Sequence, residues 1–212
     1  MSIQVKMYTE LNQPISKEYV DFTMKNIELA GRTCYKSESK IHDDSATRFI
    51  KNILSLKHYS VVEHGMLSFR VICDRAVSHQ WVRHRLKSYS QESQRYCCYT
   101  KKKFGGDIQF IRPIEMSEKS YEIFNEAVIA AESYYFNLIK NGEPPEIARC
   151  VLPNSTKTEF VVSANLRTWI EFLPKRLSKH AQADIRFLAN QVLDIIDIHF
   201  PIIGDHIKTL VK

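Results

Sequence analysis

Residues 67–87 read LSFRVICDRAVSHQWVRHRLK, and this stretch carries the clearest structural signal in the 212-residue chain. From residue 67 to residue 73, apolar side chains recur at every second position, and enough others lie between them for both faces to be buried. That pattern predicts a β-strand. Asp74 follows directly as a typical N-cap, which predicts a helix over residues 75–87. The stretch therefore predicts a buried strand that leads straight into a helix.

The predicted helix has one distinctly polar face. Gln80, Arg83, His84 and Lys87 follow one another at intervals of three, one and three residues, so they lie on one side of a helix, whereas Trp81 lies on another. Groups of this kind are costly to bury unless each finds a hydrogen-bond partner. The polar face is therefore expected to point away from the core.

Similar patterns predict the remaining elements. Two more strands are expected at residues 3–7 and 159–164, and residues 90–106 have the polar, basic composition of a loop that ends in glycines. The elements show no βαβ alternation and no repeat. They predict a single α+β domain over residues 1–212, in which a small, mostly antiparallel sheet packs with long helices. The other predicted helices cover residues 16–30, 45–56, 117–140, 145–152, 167–172 and 178–200.

Composition indicates a globular protein with anionic partners. Hydrophobic residues make up 44% of the chain, charged residues make up 25%, and the formal net charge is +6, which favours nucleotides, phosphorylated cofactors or nucleic acid. The five cysteines form no C-x-x-C pair, so we expect reduced thiols in a cytoplasmic protein. No stretch has the length and apolarity of a signal peptide or a membrane span, so no membrane partner is expected.

The segment from Arg83 to Tyr96, RHRLKSYSQESQRY, is the strongest candidate for a binding site. A guanidinium group can donate two hydrogen bonds to the oxygens of one phosphate. Short hydroxyl and amide side chains can supply the remaining hydrogen bonds around that phosphate. A nucleic-acid surface is the rival interpretation, because Tyr89, Tyr96 and Tyr99 interleave with the basic residues. Composition by itself leaves that surface and a solvated basic face about equally favoured.

Other segments carry weaker signals. His58, Glu63 and His64 could be metal ligands, but their spacing does not place the two histidines on one helical face, and a loop that enters the strand is favoured. No metal site is predicted. No dinucleotide-binding, P-loop or zincin motif occurs in the chain. Further along, Asn165 and Arg167 directly follow a predicted strand, where binding sites are commonly built.

Taken together, these blocks resemble the flavin-dependent thymidylate synthases. The pattern of that family is R-H-R-x-x-S-x-N-E-x-S-x-R-Y, and residues 83–96 match it except at Ser90 and Gln91, which replace Asn and Glu. Glu171 also departs from the family, in which an Asn is common at that place. The resemblance extends in the same order over about residues 30–201. It further includes His58, Ser60, Glu63, His64, Gln80, Trp81, Ala148–Pro153, Asn165, Arg167, Arg176 and His180–Gln182.

The resemblance implies an enzyme that converts dUMP to dTMP by reductive methylation. Methylenetetrahydrofolate would supply the carbon, and NADPH would reduce a bound FAD, which then supplies the hydride that completes the methyl group. A homotetramer with shared active sites is implied as well, without a cysteine nucleophile and without a nucleic-acid or membrane partner. Two alternatives are a basic nucleic-acid-binding module and a catalytically inert nucleotide-binding homologue.

The resemblance also assigns roles to individual residues. Arg176 would activate the uracil ring, because a fixed cation stabilises the negative charge that develops at N3 and O4. Ser93 could be a nucleophile, but no base is evident beside it, so phosphate binding is expected instead. The flavin would be held by Ser60, Arg83, His84, Arg85, Gln91, Asn165, Arg167 and Glu171. The dUMP would be held by Gln80, Trp81, Val82, Arg83, Gln91, Glu92, Ser93, Gln94, Arg95, Arg149 and Arg176.

Overall fold

The structure, a computed structural model, describes residues 3–101 and 106–211. Residues 102–105 of the predicted loop lie outside the described residues. The strands are β1 (Ile3–Gln4), β2 (Tyr8–Leu11), β3 (Met66–Asp74), β4 (Ser88–Gln91), β5 (Gln109–Phe110) and β6 (Lys157–Asn165). The α-helices are α1 (Lys17–Thr33), α2 (Ser45–Ser55), α3 (Arg75–Val82), α4 (Glu118–Lys140), α5 (Pro145–Ala148), α6 (Leu166–Leu177), α7 (Ala183–His199) and α8 (Pro201–Leu210).

Four of the strands form a sheet in the order β2-β3-β6-β4, and β1 pairs in parallel with β5 in a separate sheet. Strands β3 and β6 run antiparallel. At one end the Leu166 amide donates to the Gly65 carbonyl over 2.9 Å, and at the other the Arg75 amide donates to the Thr156 carbonyl over 3.1 Å. Residue numbers rise along one strand as they fall along the other. The predicted α+β class with a small antiparallel sheet is therefore confirmed.

The N-cap predicted at Asp74 is confirmed, and capping residues also flank helices α1 and α4. The Ser16 hydroxyl accepts from the Tyr19 amide over 3.2 Å at the start of α1. Asp74 accepts from the Val77 amide over 2.6 Å at the start of α3. Helix α4 ends at Lys140 with Asn141 as its C-cap, and Gly142 follows with a φ of +96°, a conformation that glycine adopts without strain. These signals succeed because a cap depends only on residues within one turn.

The prediction that α3 extends to Lys87 is wrong, because the helix ends at Val82. Leu86 has a φ of +65°, which a right-handed helix does not allow, and the chain turns there to enter β4 at Ser88. His84 and Lys87 therefore do not lie on the polar helical face that was predicted from their spacing. The loop predicted from residue 90 is wrong at its start as well, because β4 continues to Gln91.

Proline also misled the prediction of the last helices. Helix α6 runs through Pro174 to Leu177, although residues 167–172 were predicted as one turn that ends before the proline. A proline removes one helical hydrogen bond, and the buried apolar face of α6 offsets that loss. The long helix expected from residue 178 begins only at Ala183, as α7, and Pro201 starts a further helix, α8, at its first position.

Several apolar side chains of α1 are exposed to solvent. Phe22 is 67% exposed and Leu29 is 49% exposed, whereas Ile27 is buried. Glu28, although charged, is also buried, and it pairs with Arg32 over 2.7 Å and accepts from the Ser45 hydroxyl. A buried carboxylate needs such partners. The inward face of α1 is therefore partly polar, which the spacing of apolar residues did not predict.

The described residues group into two compact units. The first covers the described parts of Met1–Tyr8, Val71–Arg83 and Ser90–Phe160, and the second covers Thr9–Arg70, His84–Tyr89 and Val161–Lys212 up to residue 211. In the first unit, Phe110, Val128 and Tyr135 form part of one apolar cluster. In the second unit, Phe69 packs edge-on against Trp169, with ring centroids 5.0 Å apart. One domain over residues 1–212 stays a prediction.

None of the helices within residues 3–101 and 106–211 combines the length and the apolar character that crossing a membrane requires.

Candidate functional site

A pocket of about 260 Å³ in the first unit contains the strongest group of anion-binding side chains. Arg75 and His79 lie one turn apart on α3, so both reach the same side of the helix. Gln94 and Arg149 line the pocket with them. Two guanidinium groups, an imidazole and an amide are donors of the kind that surround a phosphate. The remaining lining residues are Cys150, Leu152, Pro153 and Asn154.

Gln94 is the buried polar side chain of this pocket. It is 8% exposed, and its Nε2 has no hydrogen-bond partner among the described residues. The amide also lies near the Tyr99 hydroxyl, but without the geometry of a hydrogen bond. A buried donor without a partner costs about 1–3 kcal/mol. The amide is therefore well placed to donate to an acceptor that enters the pocket.

Gln91 and Glu92 are turned toward protein partners in the same unit. Gln91 Nε2 donates to the Ser78 hydroxyl over 3.0 Å and to the Thr158 hydroxyl over 3.1 Å. Glu92 accepts from Lys157 over 3.2 Å and from the Tyr99 hydroxyl over 2.9 Å. Burial, together with the Glu92 charge, raises the pKa of Tyr99 well above its usual range. The side chains of both residues therefore anchor the segment that carries Ser93 to Arg95.

Residues 93–97 form a tight turn beside these anchors. The Ser93 carbonyl accepts from the Tyr96 and Cys97 amides, over 3.1 and 2.9 Å, and the Ser93 hydroxyl accepts from the Arg95 amide over 3.3 Å. The Arg95 guanidinium contacts Glu146 over 2.7 Å, in a pair that is about half exposed on both sides. An exposed pair of this kind is weak and can open for a stronger anion.

The candidate residues on and after α3 differ in exposure. Gln80 is half-buried, whereas Trp81 is completely buried and packs edge-on against Phe160 at 5.6 Å. Val82 and Arg83 are exposed, and Arg83 makes no ion pair within the described residues. The indole of Trp81 therefore supports the helix from inside, and Arg83 is the more accessible of these candidates.

Several predicted flavin residues lie together in the second unit, at the junction of β6 and α6. Asn165 caps α6 by accepting from the Thr168 amide over 2.9 Å. Arg167 donates to Glu63 over 2.7 Å and to Glu171 over 2.8 Å. Hydrogen bonds to Glu171 and then Glu63 raise the pKa of Arg167, so its positive charge is held in place.

His84, Ser60 and Arg85 belong to the same unit but differ in exposure. His84 is half-buried and meets the Phe172 ring edge-on at 5.4 Å. Burial lowers the pKa of His84 to about 4, and the positive charge of Lys87 adds to the effect. His84 is therefore neutral near pH 7 and can both donate and accept a hydrogen bond. Ser60 and Arg85 are exposed.

Arg176 lies in the last turn of α6, where a cation also interacts favourably with the helix dipole. Its guanidinium carbon is 5.9 Å from the centroid of the Phe172 ring. Burial lowers the pKa of Arg176, although a guanidinium remains charged throughout the physiological range, and burial raises the pKa of the nearby Tyr89. Arg176 is thus a half-buried, permanent cation beside an aromatic ring.

Two pocket residues, Arg75 and His79, were missed from the sequence. Their spacing of four residues on a capped helix was the available signal, but the predicted polar face included Gln80 and Arg83 and not these two residues. The residues predicted to bind dUMP all lie in the first unit, except Arg176. The residues predicted to bind the flavin all lie in the second unit, except Arg83 and Gln91. Within the described ranges, no three His, Cys, Asp or Glu side chains are grouped to hold a metal ion.

Comparison with known proteins identifies the family. The profile of the family described as "Thymidylate synthase complementing protein" matches residues 18–202. A flavin-dependent thymidylate synthase of Geobacter sulfurreducens is 37% identical over 179 residues, which cover 80% of this chain and 75% of the relative. One of Mycolicibacterium gilvum is 33% identical over 216 residues, which cover 91% and 84%. The chain therefore belongs to the thymidylate synthase complementing protein family.

The fold has a solved counterpart in the UMP/dUMP methylase PolB from Streptomyces cacaoi, whose crystal structure is bound with 5-Br dUMP. The two structures match with a TM-score of 0.80 over 100% of this chain and 98% of the other, at 20% sequence identity. At that level of identity the match supports the shared fold. The two curated relatives above, both named flavin-dependent thymidylate synthase, agree with the resemblance seen in residues 83–96.

Proposed function

We propose that the protein is an FAD-dependent thymidylate synthase that converts dUMP to dTMP. In this proposal methylenetetrahydrofolate donates the carbon and NADPH is the reductant. The pocket of the first unit is the observation that carries it, because Gln94 and Arg149, both expected from the sequence to bind dUMP, line it together with Arg75 and His79. A nucleoside monophosphate is the anion that such a pocket suits in this family.

Substrate binding would use the donors of the first unit. Arg149 and Arg75 would neutralise the phosphate, and the buried Gln94 amide would donate to one of its oxygens. Arg95 would leave its exposed pair with Glu146 to join them. Ser93 fits the role of a hydroxyl donor, since its hydroxyl oxygen accepts from the Arg95 amide and can still donate its own proton. These contacts would orient the uracil ring for reaction.

The residues of the second unit fit a flavin dinucleotide. Arg85, which is exposed, could bind its phosphates, and neutral His84 could donate to or accept from the ring system. Asn165 and Arg167 stand at the junction of a strand and a helix N-terminus, a common place for such groups. FAD, when bound, would supply the hydride for the new methyl group.

Arg176 is the residue to which we assign activation of the uracil. Its permanent positive charge, half-buried beside Phe172, would stabilise negative charge at N3 and O4 more strongly than a cation in water could. We also propose a cytoplasmic homotetramer, in which each active site takes residues from more than one subunit.

Spectroscopy and one assay test this proposal. Purified full-length protein loaded with FAD should show flavin absorption that bleaches on addition of NADPH. It should release tritium from dUMP labelled at C5 when methylenetetrahydrofolate is also present. Omitting the folate or replacing dUMP with deoxyuridine should abolish or strongly reduce the release. Protein that cannot be loaded with FAD but binds DNA with a steep dependence on salt would instead support a nucleic-acid-binding module.

A further inference from the structure

The two amide hydrogens of Gln91, the last residue of β4, both have protein partners. Its Nε2 donates to the hydroxyl of Ser78, on α3, over 3.0 Å and to that of Thr158, on β6, over 3.1 Å. Ser78 and Thr158 are each only 1% exposed. The side chain of Gln91 is therefore fixed between a helix and a strand of the first unit by two buried hydroxyl groups.

The hydroxyl of Ser78 requires a donor at position 91. Ser78 donates its single proton to the carbonyl of Arg75, three residues earlier on α3, over 2.8 Å. Its oxygen can then only accept, and the amide of Gln91 supplies the hydrogen. A carboxylate cannot do so. The family pattern has a Glu at this place, and such a side chain would have to find its donors elsewhere.

Arg75 is the cation that a carboxylate at position 91 would meet. Its Nη1 donates to the Thr158 hydroxyl and to the Glu92 carbonyl, in each case over 3.4 Å. Both bonds are longer than usual and therefore weak. Across the part of the chain that the structure describes, Arg75 makes no ion pair. The guanidinium is thus loosely held and keeps most of its five N–H donors for a ligand.

We infer that Gln91 is a positioning residue, whose neutral amide leaves Arg75 free to bind the nucleotide phosphate together with Arg149. This inference rests on the proposed function, since it takes the pocket that both arginines line to hold the phosphate of dUMP. Gln91 would act through Arg75 and without touching the nucleotide with its side chain. The residue at position 91 would therefore set how many guanidinium groups the pocket offers to the phosphate.

The shared contact with Thr158 is the reason that position 91 can control Arg75. The Gln91 amide and the Arg75 guanidinium both bond to the same hydroxyl oxygen. A carboxylate at position 91 would therefore lie within the range of about 4–6 Å over which opposite charges attract. Arg75 is half-buried and Thr158 is buried, so such a pair would be screened less than one on the surface. The guanidinium would then be drawn away from the phosphate.

Calorimetry of nucleotide binding to the FAD-loaded full chain tests the inference. We expect Gln91→Glu to weaken dUMP binding by about 5- to 20-fold and Arg75→Met to weaken it by about 10- to 100-fold. Deoxyuridine, which lacks the phosphate, should bind the wild type and both variants about equally well. In the R75M background, Gln91→Glu should cause little further loss of dUMP affinity, because the side chain through which it acts is gone.

A second measurement detects the pair without any nucleotide. In Q91E labelled with 13C at the glutamate carboxyl groups, one resonance that the wild type lacks should titrate below the usual value of about 4.3. The cause would be the attraction of Arg75. In the double variant Q91E/R75M, the same resonance should titrate at a higher pH, because the cation has been removed.

The outcomes separate this inference from the proposed function. The inference is overturned, and the proposed function stands, if Q91E binds dUMP as tightly as the wild type or loses dUMP and deoxyuridine alike. It is also overturned if Q91E loses as much dUMP affinity in the R75M background, because the new charge would then act directly on the phosphate. The same holds if the introduced carboxyl titrates alike with and without Arg75. If the wild type binds dUMP no more tightly than deoxyuridine, the proposed phosphate site is overturned as well.

Discussion

Arg167 donates from its Nε to the carboxylate of Glu171 over 2.8 Å, one turn further along α6. The two side chains are 42% and 38% exposed. Glu171 is also, with Ser90 and Gln91, one of the three positions at which the resemblance predicts a different residue, here an Asn. An uncharged amide in that place would leave Arg167 with Glu63 as its acidic partner. The departure therefore bears directly on how strongly Arg167 can attract an anionic cofactor.

Substitution of Glu171 by Gln is predicted to strengthen FAD binding. The change removes a negative charge and loosens Arg167, so the affinity should rise by about two- to fivefold, in keeping with the modest energy of exposed ion pairs. Fluorescence titration of the apoprotein with FAD measures it. Glu118→Gln, which breaks the similar pair with Arg112, is the control and should leave FAD affinity unchanged. Weaker FAD binding by E171Q would contradict the prediction.

Substitution of Arg149 by Met is predicted to weaken dUMP binding by about 10- to 100-fold, because a hydrogen bond to a charged group contributes about 1.5–3 kcal/mol. Binding of deoxyuridine, which lacks the phosphate, should hardly change. The ratio of the two dissociation constants, measured by calorimetry, therefore reports the phosphate contact alone. An equal loss for both ligands would show that Arg149 supports the pocket without binding the phosphate.

Substitution of Arg176 by Ala is predicted to leave FAD binding intact and to reduce turnover by about 100- to 1,000-fold, the effect of removing one stabilising group from a transition state. The flavin absorption spectrum and tritium release from 5-labelled dUMP measure the two properties separately. Arg176→Lys, which keeps the charge but loses the planar fork, should recover part of the rate. Full activity of R176A would refute the assigned role.

Removal of the cap at Asp74 is predicted to affect both stability and substrate binding. Asp74→Ala should cost about 0.5–2 kcal/mol, or a fall in melting temperature of roughly 2–4 °C per kcal/mol. It should also weaken dUMP binding, because Arg75 and His79 lie in the first turns of the helix that Asp74 caps. Asp74→Asn can still accept from the Val77 amide and should restore most of both properties. Thermal melting and dUMP calorimetry provide the measurements.

Protonation of His84 is predicted to destabilise the fold in acid. The pKa of His84 is lowered from 6.5 to about 4 in the folded protein, so the unfolded chain binds the extra proton first. Stability should therefore fall as pH drops from about 6.5 to about 4, and the loss should be complete below that range. Denaturant unfolding of wild type and His84→Gln across this range isolates the effect. A constant difference between the two proteins would contradict the prediction.

Strand β3 and the cap at Asp74 were predictable from the chain because each signal is local. Alternating apolar residues decide which faces of a strand are buried, and a cap needs only the amides of the next turn. The same holds for α4, with Asn141 as its C-cap and Gly142 after it. The family pattern in residues 83–96 likewise identified the family without any tertiary information, and the matching family profile confirms it.

Tertiary structure decided where the polar side chains point. The turn at Leu86 takes Lys87 off the predicted helix and places its nitrogen over Trp169 and Phe172. The path of the chain likewise brings Arg149 into a pocket with Arg75, more than seventy residues earlier. Contacts between residues so far apart depend on how whole elements pack, and no local period encodes them. The sequence by itself therefore determined the family and the local elements, whereas packing decided which charges share a site.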